Sequence, residues 1–172
     1  MKNLLNSKHF CIQPFIHACI WTDGRAIPCC INQHYILGNT KISPISEIYS
    51  NNNEKLIALR KEMINGPNLP SSCSRCGDME AGYDENSYRH YSNKHYGHLL
   101  NQIEVNSDGT IDNYKIATWD VRFSNLCNLK CRTCDSTNSS KIGEEERKAS
   151  NANTQVLKKH LTIRLSFLIF LN

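Results

Sequence analysis

Three cysteines lie close together in one short segment of this chain of 172 residues, FSNLCNLKCRTCDS. Three residues separate Cys127 from Cys131, and two separate Cys131 from Cys134. Three thiolates on one loop can hold three irons of a [4Fe-4S] cube, whereas a ferredoxin-type cluster has four cysteine ligands. One iron then keeps an open position, where a small molecule can bind and react, as at catalytic zinc sites. The spacing predicts a metal-binding loop, with a zinc loop or three unrelated buried thiols as alternatives.

The residues before this loop predict a β-strand. Segment 117–123, ATWDVRF, is rich in strand-forming residues and ends at Ser124-Asn125. Cys127 then lies just past the C-terminal end of a strand, the end at which parallel α/β barrels carry their chemistry. A strand followed by CNLKCRTC resembles the cluster loop of radical S-adenosylmethionine (SAM) enzymes. One difference is Thr133, where that family often has an aromatic residue that contacts adenine.

The resemblance implies an enzyme that cleaves SAM reductively. The amino and carboxylate groups of SAM would fill the open iron site, and the reduced cluster would pass one electron to the sulfonium. Homolysis would release methionine and a 5′-deoxyadenosyl radical, which abstracts a hydrogen atom from the substrate. Cys127, Cys131 and Cys134 would be metal ligands and cofactor-binding residues, and no catalytic residue is assigned. The implied partners are SAM, an electron donor such as flavodoxin or ferredoxin, and an unidentified substrate, with a peptide as one candidate.

A second set of cysteines occupies the N-terminal half. Cys11 and Cys29 are followed by the pair Cys73-Ser-Arg-Cys76. Together with Gly24, this pattern resembles the Twitch or SPASM-type auxiliary domain of radical SAM proteins. The resemblance implies a second [4Fe-4S] cluster, with Cys11, Cys29, Cys73 and Cys76 as its ligands, in the arrangement that places the auxiliary domain first.

The local sequence around Gly24 independently predicts a β-hairpin. Asp23-Gly24 separates two short apolar runs, 15–21 and 25–29, and an Asp-Gly turn between such runs is a hairpin signal. A hairpin would bring Cys11 near Cys29. Cys30 competes with Cys29 as a ligand, and Cys29 is preferred because the neighbouring residue of a strand points to the opposite face.

Cys19 and Cys30 are left over from both ligand sets. Cys19 interrupts the motif spacing inside an apolar run, so it is predicted to be a small buried hydrophobic residue. The total of nine cysteines is odd, which argues against a complete disulfide framework. The first ten residues lack a signal peptide's apolar core, so a reducing cytoplasm is expected. No membrane segment is expected, since the apolar C-terminal tail is too short to span a bilayer.

Two helices are predicted between the ligand pairs. Residues 44–50 have proline where a first helical turn accepts it, and residues 54–64 show helical periodicity that ends at Asn65-Gly66-Pro67. Leu56, Leu59 and Met63 form the predicted core face, and Arg60, Lys61 and Glu62 the solvated face. Further along, Glu80, Ser87 and Arg89 resemble a polar signature of the group with the auxiliary domain first, with no role assigned to them.

The predicted fold class is an α+β cysteine-rich auxiliary cluster domain, made of a β-hairpin plus helices, followed by the first strand and cluster loop of an incomplete α/β radical SAM barrel. The expected divisions are an auxiliary domain at 10–98, a linker at 99–114 and the start of the core at 115–172. Only 38 residues follow Cys134, and the family's Gly-Gly-Glu segment is absent. We therefore expect a reading frame that is truncated or shifted near its end, and a fragment that is inactive in SAM cleavage. The alternating tail, LTIRLSF, is a candidate second barrel strand.

Three functions remain open from the sequence. The first is the N-terminal part of a radical SAM enzyme, the second a non-catalytic iron-sulfur electron carrier, and the third a zinc-stabilised interaction module. A formal net charge of +4 and a pI near 8.6 are below the strongly basic footprint of a dedicated nucleic-acid binder, so nucleic acid is not an expected partner.

Overall fold

A computed structural model describes residues 2–82 and 87–150 of the chain. The helices are α1 (Lys2–Leu5), α2 (Gln13–Ile16), α3 (Ile45–Ile48), α4 (Glu54–Asn65), α5 (Ser74–Ala81), α6 (Tyr88–Tyr96) and α7 (Ser140–Ala149). The strands are β1 (His17–Ile20), β2 (Arg25–Ile27), β3 (Gly38–Asn39), β4 (Glu104–Val105), β5 (Ile111–Asp112) and β6 (Thr118–Val121). A 3-10 turn at Ser71–Cys73 precedes α5, and another at Gly97–Gln102 follows α6.

The main sheet has four strands in the order β3-β2-β1-β6. β1 and β2 are antiparallel, with Cys19 opposite Ile27, so the predicted hairpin is confirmed. Its turn needs glycine at Gly24, where φ is +90° and an added Cβ would lie 2.6 Å from the side-chain oxygen of Asn39. β6 pairs with β1 in parallel, with His17 opposite Thr118, and the predicted strand at 117–123 is observed as Thr118–Val121. The mixed sheet with surrounding helices is an α+β arrangement.

The helices between the ligand pairs form close to their predicted positions. Asn53 caps α4 by accepting hydrogen bonds from the first-turn amides, and α4 ends before Gly66 as predicted. Leu56, Leu59 and Met63 are buried, which confirms the predicted core face. The predicted solvated position of Arg60 is wrong, because this side chain is fully buried.

Arg60 is buried because the core supplies partners for its guanidinium. Its Nε donates to the carbonyl of Pro14 at 2.9 Å, and its guanidinium lies 4.6 Å from the centre of the Tyr114 ring. An aromatic face and a carbonyl together compensate for part of the lost hydration of a cation. The residue thereby ties α4 to the chain segment that precedes β6.

Two hydrophobic cores flank this helix. One contains the segment around Cys11, the C-terminal half of α4 and apolar residues of 99–114, and the other packs α3 and the start of α4 against the sheet. Leu100, Ile103 and Ile111 are buried in the first core, although 99–114 was predicted as a linker. That stretch is packed as part of the fold, because its apolar side chains fill space beside α4. The domain boundaries themselves stay predictions.

The predicted barrel strand shares a sheet with the predicted auxiliary domain. β6 lies beside β1 at one edge, and the loop that follows it leads into α7. The proposed tail strand and the rest of 151–172 lie outside the described residues. Within residues 2–82 and 87–150, no helix is both long and apolar enough to cross a membrane.

Candidate metal centre

Four cysteines from separate segments line one cavity: Cys11, Cys29, Cys73 and Cys76. The first precedes α2, the second lies two residues beyond β2, the third ends the 3-10 turn before α5, and the fourth lies in the first turn of α5. The hairpin and the start of α5 therefore bring together thiols that are up to 65 positions apart in the chain. Leu59 and Met63 of α4 form part of the apolar wall.

Burial controls the protonation of these thiols. It raises the pKa of Cys11 well above its usual value, and the nearby Cys29 thiol raises it further. Burial also raises the pKa of Cys29 to about 12 and that of Cys73 to about 11, in each case with a contribution from a neighbouring thiol. The metal-free thiols are therefore neutral near pH 7, and a bound metal would replace their protons.

The donor set fits a polynuclear cluster. Each iron of a [4Fe-4S] cube takes one thiolate, so a cube would need the four sulfurs to surround a body larger than one ion. A zinc ion instead needs four ligands within about 2.3 Å of a single centre. Four soft donors around one cavity are a suitable set for iron.

Two side chains of α6 fix the backbone on both sides of Cys11. The amide of Ile12 donates to Asn93 Oδ1 at 2.9 Å, and Asn93 Nδ2 donates to the carbonyl of Phe10 at 3.0 Å. The same carbonyl accepts from Arg89 Nη1 at 3.0 Å. Because Phe10 and Ile12 are the immediate neighbours of Cys11, these bonds determine where its thiol lies.

A third polar side chain links two of the ligand-bearing loops. The backbone amide of Asn32 donates to the carbonyl of Cys29 at 3.1 Å, which closes the turn after β2. Its side-chain Nδ2 donates to Ser72 Oγ at 3.3 Å and to Cys73 Sγ at 3.5 Å. An N–H donor to sulfur favours the thiolate form that a metal requires. Sequence reasoning missed both Asn32 and Asn93, since isolated asparagines carry no motif.

The two remaining N-terminal cysteines lie outside the lining of this cavity. Cys29 and Cys30 lie in a turn beyond β2 rather than in a strand. The argument that preferred Cys29 because neighbouring strand residues point to opposite faces is therefore wrong for this segment. Cys30 instead contacts Tyr88, whose hydroxyl is its hydrogen-bond partner. Cys19 is fully buried, as predicted, and its thiol donates to Asp120 Oδ2 at 3.5 Å.

The three-cysteine loop lies between β6 and α7, past the C-terminal end of β6 as predicted. Its ends are held together, because the amide of Cys127 donates to Ser140 Oγ at 3.3 Å and the amide of Ser140 to the carbonyl of Asn125 at 2.7 Å. A turn joins Cys131 to Cys134, through a 3.0 Å bond from the amide of the second to the carbonyl of the first. Cys131 is exposed, and the other two thiols are half-buried.

The comparisons with known proteins concern the first site. A family model for the SPASM iron-sulfur cluster-binding domain matches residues 11–77. The match begins at Cys11 and ends one residue after Cys76, so it includes all four cysteines of the cavity. No curated protein and no solved structure matches the chain. The predicted SPASM-type resemblance is confirmed, and it implies iron-sulfur cluster binding by this stretch.

Proposed function

We propose that Cys11, Cys29, Cys73 and Cys76 bind one [4Fe-4S] cluster. The supporting observation is that four thiols from separate segments line one cavity inside the stretch matched by the family model. Four thiolates occupy all four irons, so such a cluster stores and passes electrons without binding a substrate at iron. Its surroundings are mainly apolar, which limits access of water and oxygen.

A second [4Fe-4S] cluster at Cys127, Cys131 and Cys134 completes the proposal. Three thiolates leave one iron open for SAM, and a cluster of this kind supplies the electron for reductive SAM cleavage. The position of the loop supports this assignment, since it follows a strand that is parallel to its neighbour and precedes a helix. The chain is then part of a radical SAM enzyme that acts on a substrate of unidentified class, with a flavodoxin-like or ferredoxin-like electron donor.

The compartment proposed for this chemistry is the reducing cytoplasm. All nine cysteines are free thiols in the structure. Thiols persist where glutathione and thioredoxin keep them reduced, and iron-sulfur clusters need thiolates as ligands.

Metal analysis of anaerobically reconstituted protein tests both clusters. Two cubes predict about eight irons and about eight sulfides per chain, and replacing Cys73 and Cys76 by alanine should leave about four of each. Replacing Cys127, Cys131 and Cys134 together should also leave about four. Stoichiometric zinc without acid-labile sulfide would instead support the zinc-stabilised module and refute both clusters.

SAM binding tests the open iron. Adding SAM to the reduced protein should change the electron paramagnetic resonance spectrum of one cluster, because a new ligand joins that cluster. Replacing Cys127, Cys131 and Cys134 should abolish the change, whereas replacing Cys73 and Cys76 should leave it intact. A spectrum that SAM does not alter would favour the electron carrier.

The electron carrier is a second candidate with an observation in its favour. Cys11 and Cys76 of the four-thiol cavity are buried, whereas Cys131 of the other loop is exposed. A single saturated cluster is sufficient for electron transfer. In that case the reconstituted protein would hold about four irons.

A further inference from the structure

A buried ion pair joins α5 to the start of α6 beside the four-thiol cavity. Arg89 is 3 % exposed, and its Nε donates to Glu80 Oε1 at 2.8 Å while its Nη2 reaches Glu80 Oε2. Ser87 Oγ donates to the same Glu80 Oε1 at 2.6 Å and also caps α6 by accepting from the amide of His90. Arg89 Nη2 has a further contact with His90 Nε2 at 2.8 Å. The pairing is two-pronged, the geometry in which arginine binds carboxylates most strongly.

The remaining N–H groups of Arg89 point to the segment that carries Cys11. Its Nη1 donates to the carbonyls of Ser7 and Phe10, each at 3.0 Å. Cys76 lies one helical turn before Glu80 on α5. One guanidinium therefore connects the backbone next to Cys11 with the helix that carries Cys76.

The charges of this pair also act on the cavity. Arg89 is one of the lining residues. Glu80 lies one helical turn after Cys76 and is paired with Arg89, so a negative and a positive charge both lie beside the cavity. The positive charge of Arg89 therefore stabilises negative charge in the cavity, and the negative charge of Glu80 destabilises it.

We propose that Arg89 is the positioning residue of the four-thiol site and that the Arg89–Glu80 pair sets the reduction potential of the cluster held there. The proposal rests on the proposed [4Fe-4S] function of Cys11, Cys29, Cys73 and Cys76. Arg89 holds the Cys11 and Cys76 segments in register for the four irons. Its positive charge stabilises the reduced cluster, which carries one more electron, and Glu80 offsets part of that stabilisation.

The test uses the full chain in a background where Cys127, Cys131 and Cys134 are replaced by serine, so that one cluster is titrated. Arg89→Gln should shift the midpoint potential to more negative values, and Glu80→Gln should shift it to less negative values. A residue with only a structural role would not produce shifts of opposite sign. Two variants that shift the potential in the same direction, or not at all, would overturn the electrostatic part of the proposal.

Arg89→Lys separates positioning from charge. Lysine keeps the positive charge but cannot form the fork with Glu80 and reach two carbonyls. The midpoint potential should stay close to that of the background, while iron is released to a chelator faster. Partners that orient metal ligands typically contribute about 10- to 100-fold to metal affinity. Release at the background rate would overturn the positioning role.

Arg75→Gln is the matched control. Arg75 lies on α5 and also lines the cavity, but it is exposed, so water screens its charge. This variant should change the potential and the release rate less than either Arg89 variant, and an equal effect would contradict a special role for Arg89.

A background protein that holds no iron-sulfur cluster would refute the proposed function itself, whereas a normal cluster with insensitive variants would refute this inference alone.

Discussion

Asn93 provides the sharpest test of how the fold positions Cys11. The side chain is 9 % exposed and makes three hydrogen bonds, one from the fully buried amide of Ile12 and two to the carbonyls of Phe10 and Leu5. Asn93→Ala removes all three bonds. Phe10 keeps a partner in Arg89, but the Ile12 amide is left without its acceptor.

The expected cost follows from these contacts. A buried donor left without a partner costs about 1–3 kcal/mol, and each of the other two bonds contributes about 0.5–1.5 kcal/mol. Because the bond to Leu5 is long, at 3.3 Å, the lower end applies to it. We therefore expect the free energy of unfolding of the metal-free, reduced protein to fall by about 2–5 kcal/mol.

Urea unfolding followed by circular dichroism measures this change, and Lys94→Ala is the control. Lys94 is the next residue of α6 and is exposed, so its replacement should change stability by less than about 0.5 kcal/mol. The reconstituted Asn93→Ala protein should also lose iron to a chelator faster, since the backbone at Cys11 is no longer held. A loss of stability below about 1 kcal/mol with an unchanged denaturant slope would refute the reasoning.

Three further predictions concern the sheet and the cysteine assignments. Burial lowers the pKa of His17 below 6.5, so the unfolded state binds more protons below that pH, and stability that is present above pH 6.5 should be lost as the pH falls. His17→Gln should flatten this pH dependence of the urea midpoint between about pH 7.5 and 5.5, whereas replacing the exposed His98 by Gln should not. A His17→Gln protein with the same pH dependence as the unmodified protein would contradict the argument. Tyr49→Phe should lower the free energy of unfolding by about 2–3 kcal/mol in the same assay, because the hydroxyl lies 2.8–3.0 Å from three backbone groups of the β1–β2 hairpin. An unchanged free energy of unfolding would show that those contacts do not stabilise the hairpin. Cys19→Ala should keep the full iron content and Cys11→Ala should lower it, and the reverse result would exchange their roles.

The comparison of Arg60 with its helix neighbours shows the limit of periodicity. Leu56, Leu59 and Met63 were predictable as core residues because apolar side chains at helical spacing gain free energy by leaving water. Arg60 was not, because its burial depends on Pro14 and Tyr114, which come from distant parts of the chain. The stretch 99–114 illustrates the same limit, since its turn-like sequence gave no sign that Ile111 lies in the core.

The sequence by itself determined the chemical elements of the protein: two sets of cysteines, the hairpin turn at Gly24 and the helix at 54–64 that ends at Asn65-Gly66-Pro67. These depend on residue type and short spacing, which act locally. The tertiary structure alone decided which thiols share a cavity, that β6 joins β1 in one sheet, and that Arg89 and Asn93 hold the segment around Cys11. Those relationships join residues up to 101 positions apart. The free energy that favours them comes from burial and hydrogen bonding that exist only once the chain has folded.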